Sequence, residues 1–225
     1  MSMLRSPALV ACTLLSAGLA LPSAGRAALH PGVEIGLEYS TFRYEKELPG
    51  WDVGWSPSFT GGFKLEIPVH DPISILTGVR YVRMADRVKY DTGSGIPRQY
   101  GEFRLTQDYV SVPVLMEHRF MHTGRLAFCF GPEFACLVAA HLKTDETLDD
   151  GVTLTPRTSD DDVTDALKRF DLALDFSAGY DFPVGKQAWS LTLRYRRSLM
   201  GSAKDDRWYG DWRPHALEGL LGFGW

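Results

Sequence analysis

Acidic and basic side chains recur in this chain at alternate positions of otherwise apolar segments. Within their separate segments, Glu34, Glu38, Glu66, Glu117, Glu133, Asp171, Asp175, Asp181 and Glu218 fall on the same predicted interior face as Lys64, Arg80, Arg119, Arg194 and Arg196. Carboxylates and guanidiniums gathered on one face can line a charged water path or proton relay, or they can neutralise one another as a salt-bridged filling. The two signs are interleaved, so pairing is available to them. The acids outnumber the bases, a bias that would favour cations if the path were open.

Other chemistry finds less support. Acyl transfer needs a Ser and a His within hydrogen-bond reach with an acid behind them. Ser111 and His118 are seven residues apart, an odd spacing that puts them on opposite faces of a strand. His141 stands in a Ser-poor region, and neither GxSxG nor HExxH occurs. The acids Asp145, Glu146, Asp149, Asp150, Asp160, Asp161, Asp162 and Asp165 crowd residues 142–168 but do not follow the twelve-position calcium loop, so a flexible solvated loop is expected there. Trp208, Tyr209 and Trp212 with Arg207 and Arg213 form an aromatic and basic cluster suited to a surface ligand or to lipopolysaccharide headgroups. Cys129 and Cys136, seven apart in one strand, are about 23 Å from each other and cannot bridge. No catalytic residue, cofactor or metal ligand is assigned.

The elements that must position the charged face are strands. Eight segments alternate with period two, beginning at Gly32, Ser58, Ile73, Asp108, Arg125, Arg169, Gln187 and Ala216. Short links at 70–72, 121–124 and 183–186 alternate with long ones at 45–57, 85–107, 142–168 and 200–215. That layout predicts an all-β, eight-stranded antiparallel up-and-down transmembrane β-barrel with its termini on the periplasmic side. A soluble lipocalin-like barrel would turn the same alternation inside out. Gly36, Gly62, Gly78, Gly131, Gly179, Gly222 and Gly224 fall on the charged face, where a narrow interior needs small residues between large ones. Eight strands enclose a space just wide enough for side chains to fill, which favours a plugged lumen over a conducting one.

Residues 1–27, with Arg5, an apolar run from Pro7 to Pro22 and the small-residue stretch SAGRA, read as a secretory signal peptide, leaving 28–225 as one barrel domain. Removing Arg5 and Arg26 takes the net charge from −4 to −6, which argues against a nucleic-acid partner. Beyond the signal no apolar run of 18 residues occurs, so the membrane crossing falls to strands. The last residues, LEGLLGFGW, place Leu217, Gly219, Leu221, Phe223 and Trp225 on one face and stop on an aromatic. This ending resembles the C-terminal strand of bacterial outer-membrane barrels, which implies that Phe223 and Trp225 belong to a membrane-insertion signature read by the barrel-assembly machinery.

The fourth and fifth segments resemble the porin-like outer-membrane β-barrel family related to PorT. Pro113, the aliphatic run Val114 to Met116 and Arg119 match one motif, and Phe130, Gly131 and Pro132 the next, with His118 departing from the usual apolar residue. The resemblance implies a Gram-negative outer-membrane barrel and no shared catalytic motif. The expectation is a non-enzymatic envelope protein with a side-chain-filled, salt-bridged lumen and long extracellular loops, acting in envelope integrity or surface recognition. Its partners would be outer-membrane lipids, lipopolysaccharide and a surface ligand at the loops. The alternatives are a narrow porin passing small cations or solutes and a lipid-modifying enzyme.

Overall fold

The computed structural model describes residues 29–44, 50–93, 97–120, 125–185, 187–202 and 212–224. The expected signal peptide, Trp208, Tyr209 and Trp225 lie outside them.

Nine strands follow in chain order: β1 (His30–Tyr44), β2 (Trp51–His70), β3 (Ile73–Asp91), β4 (Arg98–Arg119), β5 (Leu126–Asp149), β6 (Leu154–Asp162), β7 (Phe170–Val184), β8 (Gln187–Ser198) and β9 (Trp212–Gly224). All pairings are antiparallel, each ring strand lies beside its sequence neighbours, and β1 pairs with β9 from Gly32↔Gly224 upward. The β4–β5 pairing then closes a ring of eight strands, with β6 appended to β5 beyond it. No described helix is long and apolar enough to cross a membrane.

Alternation within each strand sorts side chains in the sense that lipid as solvent demands. In β9, Ala216, Glu218, Leu220 and Gly222 are buried while Leu217, Gly219 and Leu221 face out. Across the ring Ile35, Leu37, Phe63, Phe128, Phe176, Leu191 and Leu193 are exposed, whereas Glu38, Arg80, Glu133, Arg196 and Glu218 are buried. A water-soluble barrel would carry the reverse distribution. Glycine makes the interior fit: a Cβ on Gly222 would lie 2.2 Å from Ser190 Oγ and 3.0 Å from Lys64 Nζ.

The structure corrects the expected loops. Residues 51–57, 85–91 and 98–107 are strand, and 142–168 holds the end of β5, all of β6 and a short 3-10 helix at Thr164–Ala166. β5 runs for 24 residues, against about 9–11 needed to span a bilayer, so β2 to β6 rise well past the membrane as a crown. The reason lies in the residues: Val88, Tyr90, Phe103 and Leu105 continue the inward phase of β3 and β4, and pairing continues through Tyr90↔Gly101 and, past a register shift at Asp108/Tyr109, through Arg104↔Lys143. The acids of this region serve turns. Asp149 Oδ1 accepts from Gly151 N, Asp150 Oδ1 from Val152 N and Thr153 N, and Gly151 supplies φ +85° at the tip.

Candidate functional site

The interior is built in three layers. In the layer nearest the termini, Arg119 at the end of β4 gathers three acids: Nε meets Glu117 Oε1 at 2.5 Å, and Nη2 meets Glu66 Oε2 at 2.8 Å and Asp181 Oδ2 at 3.5 Å. Glu66 also accepts from Ser74 Oγ at 3.1 Å, and Cys129 Sγ lies 3.7 Å from Glu117. Lys64 donates to Ser190 Oγ at 3.1 Å and lies within electrostatic reach of Glu34 and Asp181. Between this layer and the next lies a cavity of about 50 Å³ lined by Lys64, Glu66, Glu117, Arg119 and Arg194, enough for a few waters.

The middle layer is buried and tightly paired. Arg80 directs its whole fork at acids from three other strands: Nε to Glu34 on β1 at 2.9 Å, Nη1 to Glu133 on β5 at 2.8 Å, and Nη2 to Glu218 on β9. Thr60 Oγ1 accepts a further bond from Nη2 at 3.1 Å. Arg196 on β8 takes Glu133 Oε1 at 3.1 Å and Asp171 Oδ2 at 2.9 Å, and Ser198 Oγ completes Asp171 at 2.5 Å. Arg194 Nη1 stands 3.5 Å from Glu34 and 3.9 Å from Glu218. Such planar, bidentate-capable guanidiniums suit a crowded interior better than ammonium groups do. Asp175 and Glu38 are buried in the same layer without an ion pair within 4.0 Å among the described residues. Glu38 sits directly opposite Glu218 across the β1–β9 ladder, and among the described residues neither of its carboxyl oxygens has a hydrogen-bond partner.

The third layer was not anticipated. Above the ion pairs the interior turns apolar: Phe42, Val82, Met84, Leu105, Tyr109, Leu137, Leu167 and Trp212 form one buried cluster with Val163 and several alanines. Leu167 and Val163 come from the segment expected to be a solvated loop. It is pinned to β5 in both directions, by Val163 N to Ala140 O at 2.9 Å and Ala140 N to Thr164 Oγ1 at 2.8 Å. The lumen is therefore charged through its lower and middle parts and closed by an apolar stopper at the crown end. The pair Val163 and Leu167, four apart in an acidic stretch, was the one signal available in sequence.

Residues considered for catalysis do not meet. Ser111 is buried inside the ring and His118 points outward at the opposite face, against Phe120. Among the described residues no group of three or more His, Cys, Asp or Glu side chains is placed to hold a metal ion. Cys129 is buried and Cys136 exposed, as their odd spacing requires. Phe223 packs edge-on against Trp189 at 5.4 Å between ring centroids, at the end of the barrel where the termini lie.

An antiparallel eight-strand ring, lipid-facing on the outside and ion-paired within, defines a transmembrane β-barrel of the bacterial outer membrane. Residues 23–204 match the family described as outer membrane protein beta-barrel domain, and the chain belongs to that family. Among solved structures it is similar to Ail, the attachment invasion locus protein of Yersinia pestis, in complex with the heparin analogue sucrose octasulfate, at 11% identity over 88% of this chain and 99% of that one, with a TM-score of 0.40. Neisserial surface protein A follows at 12% identity over 85% and 95% of the two chains with a TM-score of 0.37. The outer membrane protease OmpT of Escherichia coli has 9% identity over 91% and 98%, with a TM-score of 0.32. At these scores the likeness adds nothing to what the strand register establishes. No curated protein matches the chain.

Proposed function

We propose that this barrel is a non-enzymatic envelope protein whose lumen is structural and whose crown faces the cell exterior, where it acts in envelope integrity or surface recognition. The observation that carries this reading is the stacking of an apolar stopper on a fully buried ion-pair layer. A conducting lumen needs a continuous file of water, and here Arg80, Glu133, Arg196 and Glu218 are each 0–1% exposed beneath Met84, Tyr109 and Leu167. The tight turn at 71–72, the Val184↔Gln187 end of β7–β8 and the described ends His30 and Gly224 share the opposite end, which we place in the periplasm. Phe223 lies there and, with Trp225 in the sequence, fits an insertion signature for the assembly machinery.

The crown supports a recognition role through its own surface. Trp51, Tyr90 and Phe103 cluster on one face of the β2–β3–β4 extension, with ring centroids 5.3 to 6.4 Å apart, and Tyr90 Oη and Gln99 Nε2 both donate to Glu146. Rigid aromatics beside an anchored carboxylate are a common basis for ligand contact. Planar-bilayer conductance of the refolded protein, after a heat-modifiability gel has verified folding, tests the sealed lumen. Silence from folded protein is expected. Reproducible current steps that change on Arg194→Glu or Arg196→Glu would make the chain a narrow porin instead.

A further inference from the structure

The charges in the middle layer of the lumen do not balance. The guanidiniums of Arg80, Arg194 and Arg196 face six carboxyl groups, those of Glu34, Glu38, Glu133, Asp171, Asp175 and Glu218, and every one of these residues is at most 7% exposed. The contacts show which acids are left over. Arg80 directs its three nitrogens to Glu34, Glu133 and Glu218. Arg196 gives Nε to Glu133 and Nη2 to Asp171, while its Nη1 lies 3.1 Å from Met84 Sδ. Arg194 Nη1 stands between Glu34 and Glu218. Among the described residues no cationic nitrogen comes within 4.0 Å of Glu38 or of Asp175, although Asp175 is directly opposite Arg196 across the β7–β8 ladder. Both acids lie well inside the ring. Tyr44 and Trp212, the upper ends of β1 and β9, are each six residues from Glu38 and Glu218, roughly 20 Å at about 3.3 Å per residue.

Each leftover acid meets a second acid. Glu38 and Glu218 face each other on paired strands, a placement that sets Cβ atoms about 4.5–5.5 Å apart. Glu218 Oε1, like both oxygens of Glu38, has no hydrogen-bond partner among the described residues. Asp175 likewise has no donor among them, yet its carboxyl group lies within side-chain hydrogen-bonding reach of Glu133 on β5. Two ionised carboxylates only accept and repel each other, whereas one proton turns such a pair into a donor and an acceptor. The other surroundings of Glu38 are Ser58 on β2, with Arg80, Glu133 and Arg196 within electrostatic reach. Those of Asp175 are Arg194 and Arg196 on β8, with Arg80 and Glu218 beyond them. At this level β4 turns Tyr109 and Ser111 inward.

We propose that the middle layer is a proton-binding site, in which Glu38 and Asp175 each carry a proton at neutral pH and share it with Glu218 and Glu133 respectively. A buried carboxyl group without a cation neutralises itself in this way instead of remaining charged. Among the described residues no three His, Cys, Asp or Glu side chains are placed to hold a metal ion, so protons are the cations that this geometry accommodates. Water approaches the layer from the end where the described termini lie: the cavity of about 50 Å³ is lined by Glu34, Arg80 and Arg194 and by Ser177, two residues from Asp175 on the same face. The apolar stopper closes the other side. The interior therefore answers to the pH on one side of the membrane, and loss of the two protons leaves like charges facing each other in both pairs. The sign follows from linkage. The native barrel holds the protons while the unfolded chain releases them above about pH 5, so stability falls as the pH rises until the native barrel releases them too. Each retained proton lowers the ratio of folded to unfolded protein about tenfold per pH unit.

The experiment is infrared spectroscopy of the refolded barrel at neutral pH, in a detergent free of carbonyl groups, with Glu38→Gln, Asp175→Asn and the double variant beside the parent. Exposed acids are ionised at that pH, so the carbonyl stretch of a protonated carboxyl group reports only buried ones. The parent is expected to show that band, each single variant to lose roughly half of it, and the double variant to lack it. A parent spectrum without the band would overturn the site, as would a band that persists undiminished in the folded variants. Urea unfolding in lipid vesicles between about pH 6 and pH 8 supplies the second readout. The folded-to-unfolded ratio of the parent should fall about a hundredfold per pH unit relative to the double variant, and about tenfold relative to either single one. Parallel pH dependences would overturn the proposal. If the double variant does not fold, the parent band and the single variants decide the matter. Bilayer conductance tests the sealed lumen independently, since both proton pairs lie below the stopper whichever way it is resolved.

Discussion

Arg80 and Arg196 grip opposite oxygens of a single buried carboxylate, that of Glu133: Arg80 Nη1 meets Oε2 at 2.8 Å and Arg196 Nε meets Oε1 at 3.1 Å. Glu133 thereby ties β3 to β8 across the lumen, two strands that do not pair in the sheet. Breaking one member of such a set leaves charge buried without compensation. Arg80→Met is expected to cost about 3–5 kcal/mol, since Glu34, Glu133 and Glu218 all lose a partner. Replacing Glu133 with Leu as well should recover part of that loss. Urea unfolding of the refolded barrel in lipid vesicles reads both, and a loss under 1 kcal/mol for Arg80→Met would show that the network contributes little.

The stopper can be separated from the barrel beneath it. Leu167 is fully buried and lies outside the ring strands, in the segment that Val163 and Thr164 pin to Ala140. Leu167→Ala should cost about 2–5 kcal/mol locally. Proteolysis between residues 150 and 168 should accelerate while the folded band on an unheated gel stays unchanged. Loss of the folded band would instead make the stopper part of the barrel's global stability.

At the crown tip, Arg98 and the Gly93 amide bond the Asp91 carboxylate and hold its pKa down at about 2, below the usual 3.8. A depressed carboxylate adds stability that is present above about pH 4 and lost as the pH falls through about 2. Both groups are solvent-exposed, so salt should weaken the effect. A carbon-detected NMR titration should find Asp91 near 2, and Arg98→Gln should move it back toward 3.8. An unchanged value would assign the shift to the amide alone.

The two cysteines report the orientation of β5. Cys136 faces lipid and Cys129 faces the lumen beside Glu117. A membrane-soluble maleimide should label Cys136 in the folded barrel and reach Cys129 only after denaturation. Rapid labelling of Cys129 in folded protein would reveal a lumen open to small molecules.

The alternation of Glu34, Glu38 and Glu218 with Ile35, Leu37 and Leu217 carried the barrel's inside and outside in the sequence, because period two is a local property of extended chain. The ring of eight antiparallel strands follows from it. Strand length did not, since polar residues of the crown such as Lys89, Glu102 and Lys143 suit both a solvated loop and a solvated sheet.

Sequence alone thus determined which residues face lipid and which face the lumen. Only the tertiary structure decided which carboxylates Arg80 and Arg196 reach, that Leu167 folds back to cap the interior, and that Glu38 comes to face Glu218 inside the ring. The physical reason is ring closure: joining β1 to β9 and β4 to β5 fixes a register between residues far apart in the chain, and no local pattern encodes that register.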